Sequence, residues 1–131
     1  MLNPQVIAQF IGDLDRYRLA VSCPQLLATP GVKYVADNGG QNGAYWLADA
    51  IASYQRDPRI TENEKLLAMQ FWTLEVDLAH HTAVLFLTDG DSDDRIIEQM
   101  IEYTDFDLST IQFYICDNGD GTKTLMLPGE Y

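Results

Sequence analysis

From Trp72 onward apolar and polar residues alternate. Trp72, Leu74, Val76 and Leu78 point one way and Thr73, Glu75 and Asp77 the other, which predicts a half-buried strand. After a short turn at Ala79-His80-His81, Ala83, Leu85 and Leu87 alternate with Thr82, Val84 and Phe86, predicting a second strand and a hairpin. Residues 89–94 predict a loop. Ile97, Ile101 and Tyr103 predict a third strand. Ile96, Ile97, Met100 and Ile101 also fit a helix over 93–101, but the β-branched residues favour the strand. One turn over 107–110, a fourth strand through Ile111, Phe113 and Ile115, a turn over 117–121 and a fifth strand through Leu125 and Leu127 complete this half.

Upstream of residue 68 the spacing is helical. Asn3-Pro4 is a cap-then-proline start, and Val6, Ile7, Phe10 and Ile11 predict a helix over 3–11 closed by Gly12. Residues 13–18 are charged and read as irregular. Residues 19–27 are apolar but broken by Ser22-Cys23-Pro24, giving a short strand or an extended connector. Thr29-Pro30 starts a short helix with Val32, Val35 and Ala36 that stops at Asn38-Gly39-Gly40. Trp46, Leu47, Ala50, Ile51 and Tyr54 form the apolar stripe of a helix over 45–55, ended by Asp57-Pro58. Thr61 and Glu64 stand at capping-box spacing for a helix over 62–67. Helices first and strands after predict an α+β domain over residues 1–131, with N-terminal helices packed on one face of a mainly antiparallel five-stranded meander.

Charge adds what periodicity cannot. The chain carries 20 acidic and 8 basic residues, a net charge of −12. Residues 1–66 hold 6 basic and 7 acidic groups. Residues 67–131 hold 2 basic (Arg95, Lys123) and 13 acidic, so the imbalance sits in the strand half. Such a field repels nucleic-acid phosphates and anionic lipid and favours a basic partner, divalent cations or plain solubility. No apolar run approaches the ~20 residues of a spanning helix. No basic cluster precedes an apolar stretch at the N-terminus, so no secretory signal is expected. Cys23 and Cys116 are far apart with no Cys-x-x-Cys, and read as reduced cytoplasmic thiols.

Sites with demanding chemistry fail on spacing. Asp89, Asp91 and Asp93 stand where a calcium loop begins, yet its sixth position is Asp94 instead of Gly and its twelfth is Met100 instead of Glu, so no tight calcium site is expected. His80-His81 is a neighbouring pair with no third histidine, Gly39-Gly40-Gln41-Asn42-Gly43 has no following Lys for a phosphate loop, and no nucleophile motif occurs. No catalytic residue, cofactor or metal is assigned. Two candidates remain. An acidic surface of Asp89, Asp91, Asp93, Asp94, Glu98 and Glu102 would bind a basic protein. A pocket between helices and sheet at Tyr45 and Trp46 would serve a small enzyme or ligand-binding domain.

Several segments carry a family resemblance: Gly43-Ala44-Tyr45-Trp46-Leu47 with Asp49-Ala50-Ile51-Ala52-Ser53, Phe10 with Gly12, Gly31-Val32-Lys33 with Ala36-Asp37, Trp72-Thr73-Leu74, Tyr103-Thr104-Asp105-Phe106-Asp107-Leu108, and Leu127-Pro128-Gly129-Glu130-Tyr131. The chain resembles a family of small acidic bacterial proteins of unknown function, common in cyanobacteria and on mobile elements. Gly129 stands where that family usually has Ser, and the 89–94 loop is more acidic than usual. The resemblance implies one complete domain ending at Tyr131 and a bacterial cytoplasm. It brings no catalytic residues. The expected role is a non-enzymatic interaction or accessory protein, its basic partner conceivably a nucleic-acid-binding protein. A deep pocket with a carboxyl group of raised pKa would favour the enzyme instead. The oligomeric state is not legible in the sequence.

Overall fold

A computed structural model describes residues 1–12 and 15–131; of the segment expected to be irregular, residues 13 and 14 lie outside the described residues. Five short helices precede and flank a six-stranded sheet: α1 (Pro4–Ile7), β1 (Leu26–Ala28), α2 (Pro30–Asn38), α3 (Tyr45–Ser53), α4 (Pro58–Thr61), α5 (Glu64–Ala68), β2 (Met69–Asp77), β3 (Thr82–Thr88), β4 (Ile97–Ile101), β5 (Thr110–Asp117) and β6 (Lys123–Met126), with a final 3-10 turn (Pro128–Glu130). The α+β class and mainly antiparallel sheet are as expected.

The meander is not. The strand order is β1-β6-β5-β2-β3-β4, and β1 runs parallel to β6. Two features of the chain produce this. The segment expected as a short strand or connector over 19–27 delivers Leu26, Leu27 and Ala28 beside Lys123, Thr124 and Leu125, adding a sixth strand and making the sheet mixed. The chain then leaves the edge strand β4 and crosses the end of the β2–β3 hairpin to place β5 on the far side of β2. Thr104 N donates to His81 O and Val76 N to Ser109 O along this crossover, which spends the backbone groups expected to close a turn over 107–110. Residues 97–101 form the strand favoured over the helix.

Among the helices, α1 stops at Ile7 because Phe10 turns to pack on Tyr34, with ring centroids 5.6 Å apart. The helix expected over 62–67 forms as α5, capped by Asn63 and not by Thr61, and an additional helix α4 precedes it, capped by Asp57 with Pro58 at its first position. One sheet face carries the core: Trp72 and Leu74 of β2, Leu85 and Leu87 of β3, Phe113 and Ile115 of β5 and Leu125 of β6 are buried with Leu47 and Ile51 of α3. Helices α2 and α3 close over Phe113 and Leu125, leaving a void of only about 10 Å³. Trp46 is half-buried at the margin of this core.

Candidate functional site

Strand alternation sends every second side chain to the other face of the sheet. There the register sets Phe71, Thr73 and Glu75 beside Thr88, Phe86 and Val84 of β3, and Tyr114 and Gln112 of β5 beside Phe71 and Thr73. Glu98 and Met100 of β4 stand opposite Phe86 and Val84. Phe71 and Tyr114 meet edge to face at 5.0 Å, and Tyr131 meets Tyr114 at 6.1 Å. The result is a half-buried patch with aromatic residues at its centre. Sequence reasoning missed it, although the alternation of Phe71, Thr73 and Glu75 against the core positions was the available signal.

The acidic loop abuts this patch. A Cβ placed on Gly90 would lie 2.5 Å from the Phe71 ring, so the loop passes directly over that side chain, and Gly90 takes φ +83° there. Arg95, just past the loop, lays its guanidinium 3.8 Å over the Phe86 ring and bonds Glu98 at 2.7 Å and Glu75 at 3.1 Å. Lys65 of α5 reaches Asp91 at 2.7 Å and Asp89 at 3.8 Å. The Asp91 backbone N–H, then the Lys65 charge, hold the Asp89 carboxyl below the usual carboxylate range, against some desolvation. Asp93 and Asp94 are exposed, and neither has an ion-pair partner among the described residues. Six carboxylates thus face two cations, a local surplus of four negative charges beside an apolar patch. Glu102 is exposed but lies beyond the far end of β4, about 17 Å of strand from the loop.

The second candidate is a cleft of about 410 Å³ lined by Asn42, Gly43, Tyr45, Trp46, Tyr103, Thr104 and Asp105. It forms where the start of α3 meets the crossover after β4. Three carboxylates fix its walls. Asp107 accepts from Leu2 N at 2.7 Å and Gly40 N at 2.9 Å, and Asp105 accepts from Gln41 N at 2.8 Å. The Tyr45 hydroxyl donates to Asp37 at 2.5 Å, and Asp37 also pairs with Lys33 at 2.6 Å. These bonds, Lys33 first, lower the Asp37 pKa, and the Asp37 bond raises that of Tyr45. The glycine-rich loop 39–43 therefore aims two of its amides at carboxylates of its own chain. Gly40 (φ +68°) permits that approach: a Cβ there would stand 2.2 Å from Asp105 Oδ1.

Three other titratable side chains have structural partners. His80 Nδ1 lies 2.8 Å from Asp77, while the His81 ring packs on Tyr103. Glu130 is buried and accepts from Thr29 Oγ1 at 2.6 Å, Leu127 N at 3.0 Å and Gly31 N at 3.1 Å, tying the C-terminus to the start of α2. Among the described residues, no three His, Cys, Asp or Glu side chains converge as a metal site, and no helix is long and apolar enough to cross a membrane. Cys23 and Cys116 are free thiols, both half-buried.

A family of unknown function, DUF6876, matches residues 2–131. No curated protein and no solved structure matches the chain.

Proposed function

We propose that this chain, which belongs to the DUF6876 family, is a non-enzymatic interaction protein whose acid-rimmed sheet face receives a basic partner protein. The observation that carries the reading is the half-buried aromatic patch of Phe71, Phe86 and Tyr114, on the sheet face opposite Trp72 and Leu74 and edged by the 89–94 loop. An apolar centre with a charged rim is the anatomy of a protein interface. The surplus of carboxylates fixes the sign of the partner and speeds its approach. The same field disfavours nucleic acid and anionic membrane. Free thiols accord with the reducing cytoplasm of a bacterium. Asp89, Asp91, Glu75 and Glu98 at the rim serve in ion pairs with Lys65 and Arg95, which agrees with a binding role.

The Tyr45–Trp46 cleft supports a second reading, a small-ligand site. Two segments that carry the family resemblance, 43–47 and 103–108, form its two walls. Its carboxyl groups are held by backbone amides or by Lys33, so they suit orientation of a ligand better than proton transfer.

Two steps test the first reading. A pull-down from the native host at low and then high salt identifies the partner. Its association rate is then compared for wild type and the variant with Asp89, Asp91, Asp93 and Asp94 all changed to Asn. Association is expected to slow several-fold at low salt and to converge once the Debye length falls well below ~8–10 Å. No basic protein retained at low salt, or an unchanged rate, contradicts the reading and leaves solubility as the role of the charge.

A further inference from the structure

The cations of this acidic chain are almost all committed. Lys33 pairs with Asp37, Arg59 with Asp57, Lys65 with Asp89 and Asp91, and Arg95 with Glu75 and Glu98, while Arg18 donates to Pro24 O. Arg56 and Lys123 are different. Neither side chain has a carboxylate or hydrogen-bond partner among the described residues, and both line one cleft. The cleft measures about 150 Å³ and forms where three distant stretches meet: the connector before β1, the end of α3 and the turn between β5 and β6. Its wall includes the half-buried Cys23 thiol and the buried Leu26. Three nearby carboxylates are engaged elsewhere. Asp57 grips Arg59 through two side-chain bonds, Asp120 accepts from Thr122, and Asp117, opposite Lys123 in the β5–β6 register, accepts from Gly119 N.

Two unpaired cations facing one cavity are unfavourable for each other, and an anion between them removes that repulsion. The planar guanidinium of Arg56 suits two oxygens of one anion, and the Lys123 ammonium adds a point charge. The volume admits a phosphate or carboxylate group with a few attached atoms. We infer that the cleft between Arg56 and Lys123 binds a small oxyanion, phosphate or carboxylate, with Cys23 at its wall. This is independent of the sheet-face interaction, since it lies on other residues and takes a ligand of opposite charge.

The two thiols provide the test. Cys23 lines the cleft and Cys116 sits on β5, so Cys116 is an internal reference. The full-length reduced protein is treated with iodoacetamide in chloride, acetate or inorganic phosphate at one ionic strength, and alkylation of each cysteine is followed by peptide mass spectrometry. Phosphate or acetate is expected to slow alkylation of Cys23 several-fold and saturably relative to chloride, with Cys116 unchanged. Whichever anion acts identifies the oxyanion chemistry. In the variant Arg56→Gln with Lys123→Gln the protection is expected to disappear. Equal Cys23 rates in all three salts, or protection that persists in the folded double variant, overturn the inference. The comparison of salts on wild type stands even if the double variant fails to fold.

Discussion

Glu130 shows most plainly how one side chain closes this fold. It lies next to the last residue, yet it is buried and receives two backbone amides and the Thr29 hydroxyl. Gly31 makes room for it: a Cβ there would stand 2.5 Å from Glu130 Oε1. Changing Glu130 to Ala strands those donors, each at about 1–3 kcal/mol. The expected loss is at least about 2 kcal/mol in denaturant unfolding, and a change under about 0.5 kcal/mol would show the bonds carry little. The exposed aspartates make a different expectation. The carboxyls of Asp37, Asp57, Asp77, Asp89 and Asp120 are all held below their ordinary values, Asp57 at about 2 by the Arg59 guanidinium and its backbone N–H. A lowered folded-state pKa stabilises above the unfolded value, near 3.8, and that stability fades as pH falls toward the folded value. Melting temperature is therefore expected to drop between about pH 4 and pH 2, and Asp57→Asn to shrink the drop. A flat profile there would contradict these pairings.

The β2–β3 hairpin was legible because one face is buried, and burial forces alternation. Leu74, fully buried between Leu85 and Ile111, is the strictest case. Leu74→Ala is expected to cost about 2–5 kcal/mol, read from chemical denaturation, and less than about 0.5 kcal/mol would mean the register is wrong. Other elements were legible only in part. Asp57-Pro58 reads as a helix stop, yet it is also a cap followed by proline, the same start signal as Asn3-Pro4 and Thr29-Pro30, and α4 begins there. β1 has three residues and pairs with a strand about 97 positions later, so the local pattern leaves a short strand or a connector open over 19–27 and does not reveal its partner. The crossover over 102–109 is likewise set by distant partners, Gly40, Gln41 and His81. Of the candidate sites, the acidic loop was visible as composition. Its contact with Phe71 and the meeting of Tyr45 and Trp46 with Tyr103 and Asp105 needed the third dimension.

Across the whole molecule, charge and architecture divide along the same line. Strands β2–β6 come from the half that carries 13 acidic and 2 basic groups, while the helical layer comes from the nearly neutral half. The acidic half thus supplies both the aromatic sheet face and its rim. Solubility alone would distribute charge without regard to a face. A docking surface needs the apolar centre and the carboxylates side by side, as Phe71, Phe86 and Arg95 stand with Glu75, Glu98 and the 89–94 loop. The most direct measurement is an amide chemical-shift map of the isotope-labelled protein titrated with the basic partner recovered from its host. The shifts should concentrate at Phe71, Thr73, Phe86, Met100 and Tyr114 and along residues 89–94. Shifts confined to α2, α3 or the Tyr45–Trp46 cleft, with the sheet face unmoved, would contradict the account.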